Sequence, residues 1–268
     1  GGYVAAIRCA QLKKKVVVFE EDRLGGTCIN YGCIPTKHLL HQTKILKEIR
    51  AAKTLDGPAS QVALNWDKVQ REKGKVVERL VRGVEFLFQR HGIELVRGTA
   101  ALKDEKTVLA RTAEGEREVE ADRIILATGS RPADLPFLRA NGSSILTSRE
   151  VLELAEVPKS LLVVGAGAIG IEMATIYHRL GTEVTVLEIL PTALPGIDRE
   201  MAARLEATGD RISAHPPSKA CPPGGDSFAR FRLSLPRDGR IRSEAGPDVV
   251  ARRHAAAFPS FDFSAQAV

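Results

Sequence analysis

The sequence predicts an α/β fold, because twice along the chain glycines open a helical pattern that leads into a β-branched run ending in an acid. The first such unit is GGYVAAIRCAQL followed by VVVFE, which ends at Glu20, and the second is SLLVVGAGAIGIEMATIYHRLGTEVTVLE, residues 160–188. A glycine turn, a helix and a strand in this order are typical of a Rossmann-like, dinucleotide-binding domain. We therefore expect two such domains, both incomplete, followed by a disordered C-terminal tail.

The composition is that of a folded protein kept under reducing conditions. The 268 residues are 44% hydrophobic and include only four cysteines, too few for a disulfide-stabilised secreted scaffold. No apolar run is long enough to span a membrane and no secretory leader opens the chain, so we expect a cytoplasmic location, or the mitochondrial matrix in a eukaryote. The net charge of +6 is divided evenly between residues 1–208 and 209–268. This pattern favours neither a nucleic acid nor a membrane as partner.

The first predicted domain covers residues 1–146. Its opening helix and strand form the back half of a dinucleotide-binding unit, and the sequence does not contain the first strand and first glycine of that unit. Two long helical patterns, over 36–54 and 67–91, predict an antiparallel helix pair separated by the breaker LDGPAS. Trp66, at the start of the second helix, is interpreted as a packing residue. Short strands are predicted at IELV, TVLA, REVE and RIILA.

The second predicted domain covers residues 147–208 and contains a complete glycine-rich turn. The turn supplies the expected nucleotide-binding residues Gly165, Gly167, Ala168, Ile169 and Gly170. Its glycines allow a tight turn, close approach of the backbone to a pyrophosphate, and packing of the helix on the strand. Glu188 ends the second strand, where a carboxylate accepts a hydrogen bond from a ribose 2′-hydroxyl and repels a 2′-phosphate. Glu188 therefore predicts NAD rather than NADP, and an ordinary strand-end acid is the alternative.

Cys28 and Cys33 lie in the segment GGTCINYGCIPTK, for which three kinds of site were compared. A zinc site needs two further ligands at comparable spacing, which the sequence does not supply, so no metal is predicted. Packed core cysteines would not need the paired glycines before them or Pro35 after them. The remaining interpretation is a redox pair at a helix N terminus, with Cys33 better placed than Cys28 for a thiolate. Lys37, one turn beyond Cys33, adds positive charge.

Four segments resemble the flavoprotein disulfide oxidoreductases, a class of pyridine nucleotide-disulfide oxidoreductases. They are GGYVAAIRCAQL, GGTCINYGCIPTK, RIILATGSRP and VVGAGAIGIE, and the IPTK ending together with Glu188 is most similar to the dihydrolipoamide dehydrogenases. The resemblance covers the N-terminal portion only, residues 1–208. It implies FAD and NAD as cofactors, and oxidation of dihydrolipoamide to lipoamide through a Cys28–Cys33 disulfide.

The resemblance also implies a role for individual residues. Cys28 would be the interchange thiol that forms a mixed disulfide with the dithiol substrate, and Cys33 would face the flavin. Lys37 would lie near the flavin N5, paired with Glu172. Glu20 would hold the ribose of the FAD adenosine. The other residues expected around FAD are Gly2, Gly26, Thr27, Ala100, Thr128, Gly129 and Ser130.

The partners implied by the resemblance are lipoyl domains of 2-oxoacid dehydrogenase or glycine cleavage complexes, and a second subunit in a homodimer. In the family, a histidine and a glutamate from the C-terminal domain of the other subunit assist the thiolate. No such motif occurs here, and His254 in RRHAAAF does not match it. We therefore expect the chain to be inactive by itself.

The tail, residues 209–268, shows neither helical nor strand periodicity. It holds half of the 14 prolines of the chain, which favours disorder. The change of composition resembles an out-of-frame reading of a GC-rich gene, a hypothesis that fails if the nucleotide sequence holds no family-like continuation in another frame.

Other functions stay open at this point. Mercuric-ion and glutathione-type reductases share the cysteine motif, although Glu188 argues against an NADPH enzyme. A non-catalytic dinucleotide-binding remnant and a helix-pair interaction module are alternatives from other classes.

Overall fold

The computed structural model describes residues 1–202, apart from 55, 57–60, 134, 136, 137, 189, 191, 192 and 195, and also the backbone of 211–215 and 229–234. The chain divides into two compact units, Gly1–Val157 and Pro158–Val268. Both units combine helices with strands, which confirms the predicted α/β class. Within these described ranges, no helix has both the length and the apolar character that crossing a bilayer requires.

The first unit opens with helix α1 (Gly2–Gln11), which leads into strand β1 (Val17–Glu20) as the sequence predicts. Strand β2 (Glu94–Arg97) pairs with β1 in parallel, and the two form a sheet of their own. α1 is less buried than expected for a core helix, since Ala6 is its only buried residue. Tyr3, Ile7 and Ala10 of this helix are partly buried and pack against the core of the unit.

Three helices connect these two strands. They are α2 (Gly26–Tyr31), α3 (Cys33–Ala51) and α4 (Trp66–Arg90), and the last two correspond to the predicted helix pair. α3 begins three residues earlier than predicted because Pro35 occupies its first turn, where a missing backbone N–H leaves no bond unmade. Asn65 caps α4, its Oδ1 accepting a hydrogen bond from the backbone N of Lys68 at 2.9 Å.

The core of the first unit lies where α1, α2 and α4 meet. α4 contributes residues spaced by four, three and four positions, which is the spacing of one helical face. The buried members of this core are Ala6, Leu24, Ile29, Val77, Val81, Val84, Phe88 and Ile93. Ile29 belongs to α2, so burial of its side chain fixes the short cysteine-bearing helix on the core.

A separate antiparallel sheet follows in the first unit. Its strands are β3 (Thr99–Leu102), β4 (Thr107–Thr112) and β5 (Gly115–Glu120), in sequential order. β4 and β5 confirm the predicted TVLA and REVE strands. β3 was not predicted, because all four of its residues are exposed and its sequence shows no alternation of apolar and polar positions.

The predicted strand RIILA, residues 123–127, is wrong for this structure. Residues 121–130 form no strand, and Ile125 and Leu126 are 61% and 69% exposed. A strand needs a neighbour whose backbone completes its hydrogen bonds, and no described segment pairs with 123–127. The segment still lies beside the first helix, since a Cβ added to Gly2 would stand 3.2 Å from the Cβ of Ala127.

The last part of the first unit is held by a row of donors on α4, which we call the α4 donor row and define as Trp66, Gln70 and Lys73. Trp66 Nε1 and Gln70 Nε2 both donate to the carbonyl of Leu154, at 2.9 and 3.1 Å. Lys73 Nζ donates to the carbonyl of Leu152. These bonds explain why residues 147–157, assigned from sequence to the second domain, belong to the first compact unit.

The second unit begins with a strand, a helix and a strand in parallel arrangement. Strand β6 (Ser160–Val164) leads through the glycine turn into helix α5 (Ala168–Arg179) and then into strand β7 (Glu183–Glu188), which pairs with β6 in parallel. α5 packs on the sheet through buried residues, namely Ile171, Met173, Ala174, Ile176 and Tyr177. This arrangement confirms the strand, turn, helix and strand predicted for residues 160–188.

Two further strands lie in the segment for which the sequence predicts disorder. β8 (Arg211–His215) and β9 (Ala229–Ser234) pair with each other, and β9 pairs antiparallel with β7, so the strand order is β6, β7, β9, β8. The prediction of disorder over 209–268 is corrected at these two strands. Pairing of this kind uses backbone groups that any sequence supplies, so composition alone did not predict it. Residues 216–228 and 235–268 lie outside the described residues.

Candidate active site

The cysteine segment starts five residues after the end of β1, at a turn made by two glycines. Gly25 and Gly26 have φ angles of 109° and 65°, in the left-handed region that favours glycine. A Cβ on Gly25 would also stand 3.0 Å from the side chain of Ile29. The paired glycines are therefore needed to turn the chain from β1 into α2 while Ile29 stays on the core.

Cys28 lies in α2 and Cys33 is the first residue of α3, with Gly32 between the two helices. Both thiols are free and exposed, and they are in hydrogen-bond contact with each other. Gly32 keeps the helices close, because a Cβ there would stand 3.0 Å from the carbonyl oxygen of Thr27. The two cysteines therefore come together at the positive end of a long helix, as the redox-pair interpretation requires.

The environment acts on the Cys28 thiol in both directions. Its hydrogen bond to Cys33 is the largest effect and raises the pKa of Cys28 above its ordinary value, and partial burial raises it further. The backbone N–H of Cys33 and the positive charge of Lys37 lower the pKa of Cys28, and these effects are smaller. Lys37 lies on α3 one turn after Cys33, where its positive charge acts on the Cys28 thiol, and its predicted role at the site stays a prediction.

We expect the Cys33→Ala substitution to lower the pKa of the Cys28 thiol, because it removes the contact that raises the pKa most while leaving the backbone N–H of residue 33 in place. Cys28 should then react faster with iodoacetamide at neutral pH, where more of it is thiolate. Mass spectrometry of the Cys28 peptide over a pH series measures the midpoint. Lys37→Met should move the same midpoint upward, and a common direction for both variants would contradict this account.

The end of α2 is tied to two other parts of the first unit. The hydroxyl of Tyr31 donates to Oδ2 of Asp22 at 2.6 Å, and the guanidinium of Arg149 lies 4.4 Å from the centre of the Tyr31 ring. Burial, followed by the bond to Asp22, raises the pKa of Tyr31. A cavity of about 400 Å³ opens beside this stack, lined by Tyr31, Gly142, Leu146, Arg149, Glu150, Glu153, Leu154 and Ala155.

The residues expected to bind FAD lie in several parts of the first unit. α1 leads through a short turn into β1 and packs on it, so Gly2 lies at the end of the sheet where Glu20 closes β1. Oε1 of Glu20 accepts a hydrogen bond from the backbone N of Asp22 at 3.0 Å. Gly26 and Thr27 open α2 and are exposed. The remaining members, Ala100, Thr128, Gly129 and Ser130, are all exposed, and their predicted roles stay predictions.

The glycine turn of the second unit has the geometry that its spacing predicts. Gly165 has a φ of 104°, and Gly167 is the N-cap of α5 with no side-chain cap. A Cβ on Gly170 would stand only 2.0 Å from the carbonyl oxygen of Gly165. The third glycine therefore allows the helix to pack directly on the turn. The first backbone N–H groups of α5, near Ala168 and Ile169, have no acceptor within the helix.

Glu188 lies beside this turn at the end of β7, and it is 7% exposed. Its Oε2 accepts a hydrogen bond from the backbone N of Ala166 at 2.7 Å, and Oε1 accepts one from the N of Leu190 at 3.0 Å. The carboxylate is thus held against the glycine turn, where the sequence predicts a ribose-binding acid. Glu172 lies on α5 in the second unit whereas Lys37 lies in the first, so their pairing stays a prediction.

Comparison with known proteins decides the family. Residues 1–210 match the family described as pyridine nucleotide-disulphide oxidoreductase. The chain belongs to this family. The match within the pyridine nucleotide-disulphide oxidoreductase family includes both glycine turns and the cysteine pair, and it confirms the resemblance inferred from the four motifs.

Individual members of the family are similar over the same region. A dihydrolipoyl dehydrogenase of Bacillus subtilis is 40% identical over 203 residues, 75% of this chain and 44% of that protein. Dihydrolipoyl dehydrogenase 2 of Haloarcula marismortui is 43% identical over 205 residues, 75% of this chain and 43% of that protein. The crystal structure of LpdA from Mycobacterium tuberculosis has a TM-score of 0.69 at 25% identity, over 87% of this chain and 54% of that one. The chain spans less than half the length of the curated relatives it matches.

Sequence reasoning missed several residues that hold the first unit together, two of them on the cysteine-bearing helix α2 and two on α4. Asn30 and Tyr31 bind backbone and side chains around α2, and Trp66 makes a hydrogen bond in addition to the packing contact expected for it. Lys73 is a lysine with only 2% exposure. A polar residue at a position expected to be buried was the signal that could have revealed Asn30 and Lys73. Asn30 follows the apolar Ile29 in a short helix, and Lys73 lies four residues before Val77 on the core face of α4.

Proposed function

We propose that the chain carries the thiol-exchange and cofactor-binding part of an enzyme of the dihydrolipoyl dehydrogenase type, which oxidises dihydrolipoamide to lipoamide with NAD as the final acceptor. The observation that carries the proposal is the contact between the Cys28 and Cys33 thiols at the start of α3, with Lys37 one turn beyond. The relatives that are dihydrolipoyl dehydrogenases support the substrate class.

The exchange step balances on the two cysteines. The pair begins as a disulfide, and a thiolate of dihydrolipoamide attacks Sγ of Cys28, so that the Cys28–Cys33 bond breaks and Cys33 leaves as a thiolate. The second substrate thiol loses its proton and displaces Cys28 from the mixed disulfide, and Cys28 takes up a proton. Dihydrolipoamide has then lost two electrons and become lipoamide, and the cysteine pair has gained them. The charge of Lys37 stabilises the thiolates during this exchange.

FAD fits the first unit in three respects. Gly25 and Gly26 form a left-handed turn without side chains, and α2 begins without a side-chain cap, so the N–H groups near Gly26 and Thr27 suit a diphosphate. Glu20 ends β1 before this turn, and its carboxylate suits a ribose. We place Gly2, Ala100, Thr128, Gly129 and Ser130 around the same group. FAD, when bound, supplies the two-electron chemistry that links the cysteine pair with NAD.

NAD fits the second unit. The turn through Gly165, Gly167 and Gly170 presents the start of α5 to a pyrophosphate, and Glu188 places a negative charge next to it. That charge favours a ribose 2′-hydroxyl over a 2′-phosphate, hence NAD over NADP. A glutathione-type or a mercuric-ion reductase is the alternative enzyme that would use the same cysteine pair. Glu172 is proposed to pair with Lys37 near the flavin.

A second candidate is a dinucleotide-binding remnant without turnover. It requires the glycine turn at the start of α5 but no thiol exchange at the cysteine pair. In the first candidate, the complete enzyme is a homodimer and acts on lipoyl domains of 2-oxoacid dehydrogenase or glycine cleavage complexes. Its location is the cytoplasm, or the mitochondrial matrix in a eukaryote. Bound flavin and turnover of dihydrolipoamide distinguish the two candidates.

The chain alone is expected to be inactive, so the test of the first candidate uses the chain joined to the C-terminal interface domain of a family member and supplied with FAD, which should form NADH from dihydrolipoamide and NAD. Cys28→Ser or Cys33→Ser should then reduce the rate by more than about 10³-fold, the order of loss expected when an enzyme loses its nucleophile. Cys9→Ser, which removes a half-buried thiol of α1, is the matched control and should leave the rate unchanged.

Thiol exchange is measured separately, without a cofactor. Oxidised chain is incubated with dihydrolipoamide, and the thiols released at Cys28 and Cys33 are trapped with N-ethylmaleimide. A colourless chain whose cysteines do exchange supports the remnant, and a pair that never exchanges with dihydrolipoamide contradicts both the substrate and the mechanism.

A further inference from the structure

The side chain of Asn30 is a buried amide at the centre of the cysteine segment. Asn30 is 5% exposed, and its Nδ2 lies 3.0 Å from the carbonyl oxygen of Leu24, 3.1 Å from that of Gly26 and 3.4 Å from that of Arg23. Arg23 and Leu24 belong to the turn that joins β1 to α2, and Gly26 is the first residue of α2. A single amide group therefore gathers the backbone of this turn around itself.

The oxygen atom of the same amide, Oδ1, is buried and accepts no hydrogen bond from the described residues. The orientation of the amide follows from its surroundings, because an oxygen in place of Nδ2 would face three carbonyl oxygens. The chain therefore uses Asn30 for its two N–H donors and not for its acceptor.

The turn and the short helix need such an anchor. Gly25 and Gly26 are in the left-handed region, so the turn has little conformational preference of its own. α2 has six residues, and a helix of this length is not stable without tertiary contacts. Its buried residues are Ile29 and Asn30, one anchoring α2 to the apolar core and the other to the turn.

The position of α2 determines where Cys28 stands relative to Cys33. Cys28 lies two residues before Asn30 on α2, whereas Cys33 belongs to α3, and only Gly32 joins the two helices. We propose that Asn30 is a positioning residue: its donors hold α2 on the turn and so keep the Cys28 sulfur within bonding reach of Cys33. Its importance for turnover depends on the proposed function, but its effect on the disulfide does not.

The Asn30→Asp variant tests this inference sharply, because it keeps the shape and the idle oxygen and removes both donors. Asn65→Asp is the matched control, since Asn65 caps α4 with its Oδ1 and a carboxylate caps equally well. The readout is the equilibrium between the Cys28–Cys33 disulfide and glutathione at neutral pH. We expect Asn30→Asp to lower the equilibrium constant for disulfide formation at least about tenfold, a shift of about 30 mV, and Asn65→Asp to leave it unchanged.

Ile29→Val separates positioning from general stability, because it weakens the packing of α2 without removing a donor. It should change the disulfide equilibrium much less than Asn30→Asp at equal or greater loss of thermal stability. If Asn30→Asp does not fold, as judged by circular dichroism, Asn30→Ser retains one donor and should give a smaller loss in the same direction.

Three results would overturn the inference: an unchanged disulfide in the folded Asn30 variant, an equal loss in Asn65→Asp, or an equal loss in Ile29→Val. A pair that fails to exchange with dihydrolipoamide yet responds to Asn30→Asp with glutathione would reject the proposed function and retain this inference.

Discussion

Gly170→Ala is expected to lower the free energy of unfolding of the second unit by about 3 kcal/mol or more. The added Cβ would stand 2.0 Å from the carbonyl oxygen of Gly165 and 3.3 Å from Cγ1 of Val163. The closest neighbour is backbone, which has no rotamer to change, so the turn and the start of α5 must separate. Urea unfolding followed by circular dichroism measures the loss.

Gly167→Ala is the matched control for this experiment. Gly167 has a φ of −69°, and a Cβ built there meets no atom within 4 Å, so the added methyl group should change the stability little. The same methyl group would occupy the path along which a pyrophosphate approaches the turn, so this variant should bind NAD more weakly while it remains folded. Equal stability of the two variants would show that close packing at residue 170 is not the reason for its glycine.

Lys73→Met should destabilise the first unit by about 2 kcal/mol, because it leaves the buried carbonyl of Leu152 without its donor. Methionine keeps most of the side-chain volume, so the loss reports the hydrogen bond rather than a cavity. The ion pair with Glu153, at 2.8 Å, adds little, since the Glu153 side chain is 65% exposed and already hydrated. Chemical denaturation of the two proteins gives the difference.

Lys75→Met provides the comparison on the same helix. Lys75 pairs with Glu72 at 2.9 Å, but its side chain is 70% exposed, so its removal should change the stability by less than about 0.5 kcal/mol.

Burial, opposed by Glu153, lowers the pKa of Lys73, so the folded state binds this proton less well than the unfolded chain. The contribution of Lys73 to stability therefore rises as the pH rises through the lowered pKa, and Lys73→Met should abolish that rise. Similar losses in both variants would contradict the buried role of Lys73.

Features that depend on neighbouring residues along the chain were predictable from the sequence. The glycine turn through Gly165 and Gly170 and the helix that begins near the cysteines are local, because their glycines and proline act within a few residues. The cysteine pair belongs to the same group, since Cys28 and Cys33 are separated by little more than one helical turn. This spacing predicted the pair, but it did not show which residues hold α2 in place beside α3.

Features that depend on distant partners were not predictable in this way. Residues 123–127 have the composition of a strand and form none, because composition does not show whether a neighbouring strand is present. Lys73 appears in sequence as one more charged residue of an amphipathic helix, and only the position of Leu152 makes it a buried donor. Asn30 likewise gains its role from three carbonyl groups that the turn brings together.

The strand order of the second unit has a consequence for its assembly. Among the described residues, β6 hydrogen-bonds to β7 alone, and Leu162 and Val164 lie on the same face of β6 with 58% and 47% exposure. The other edge of β6 thus presents backbone donors and acceptors next to exposed apolar side chains, and an extended segment can pair with this edge. A further strand can therefore pair with the free edge of β6 without moving the glycine turn, α5 or β7.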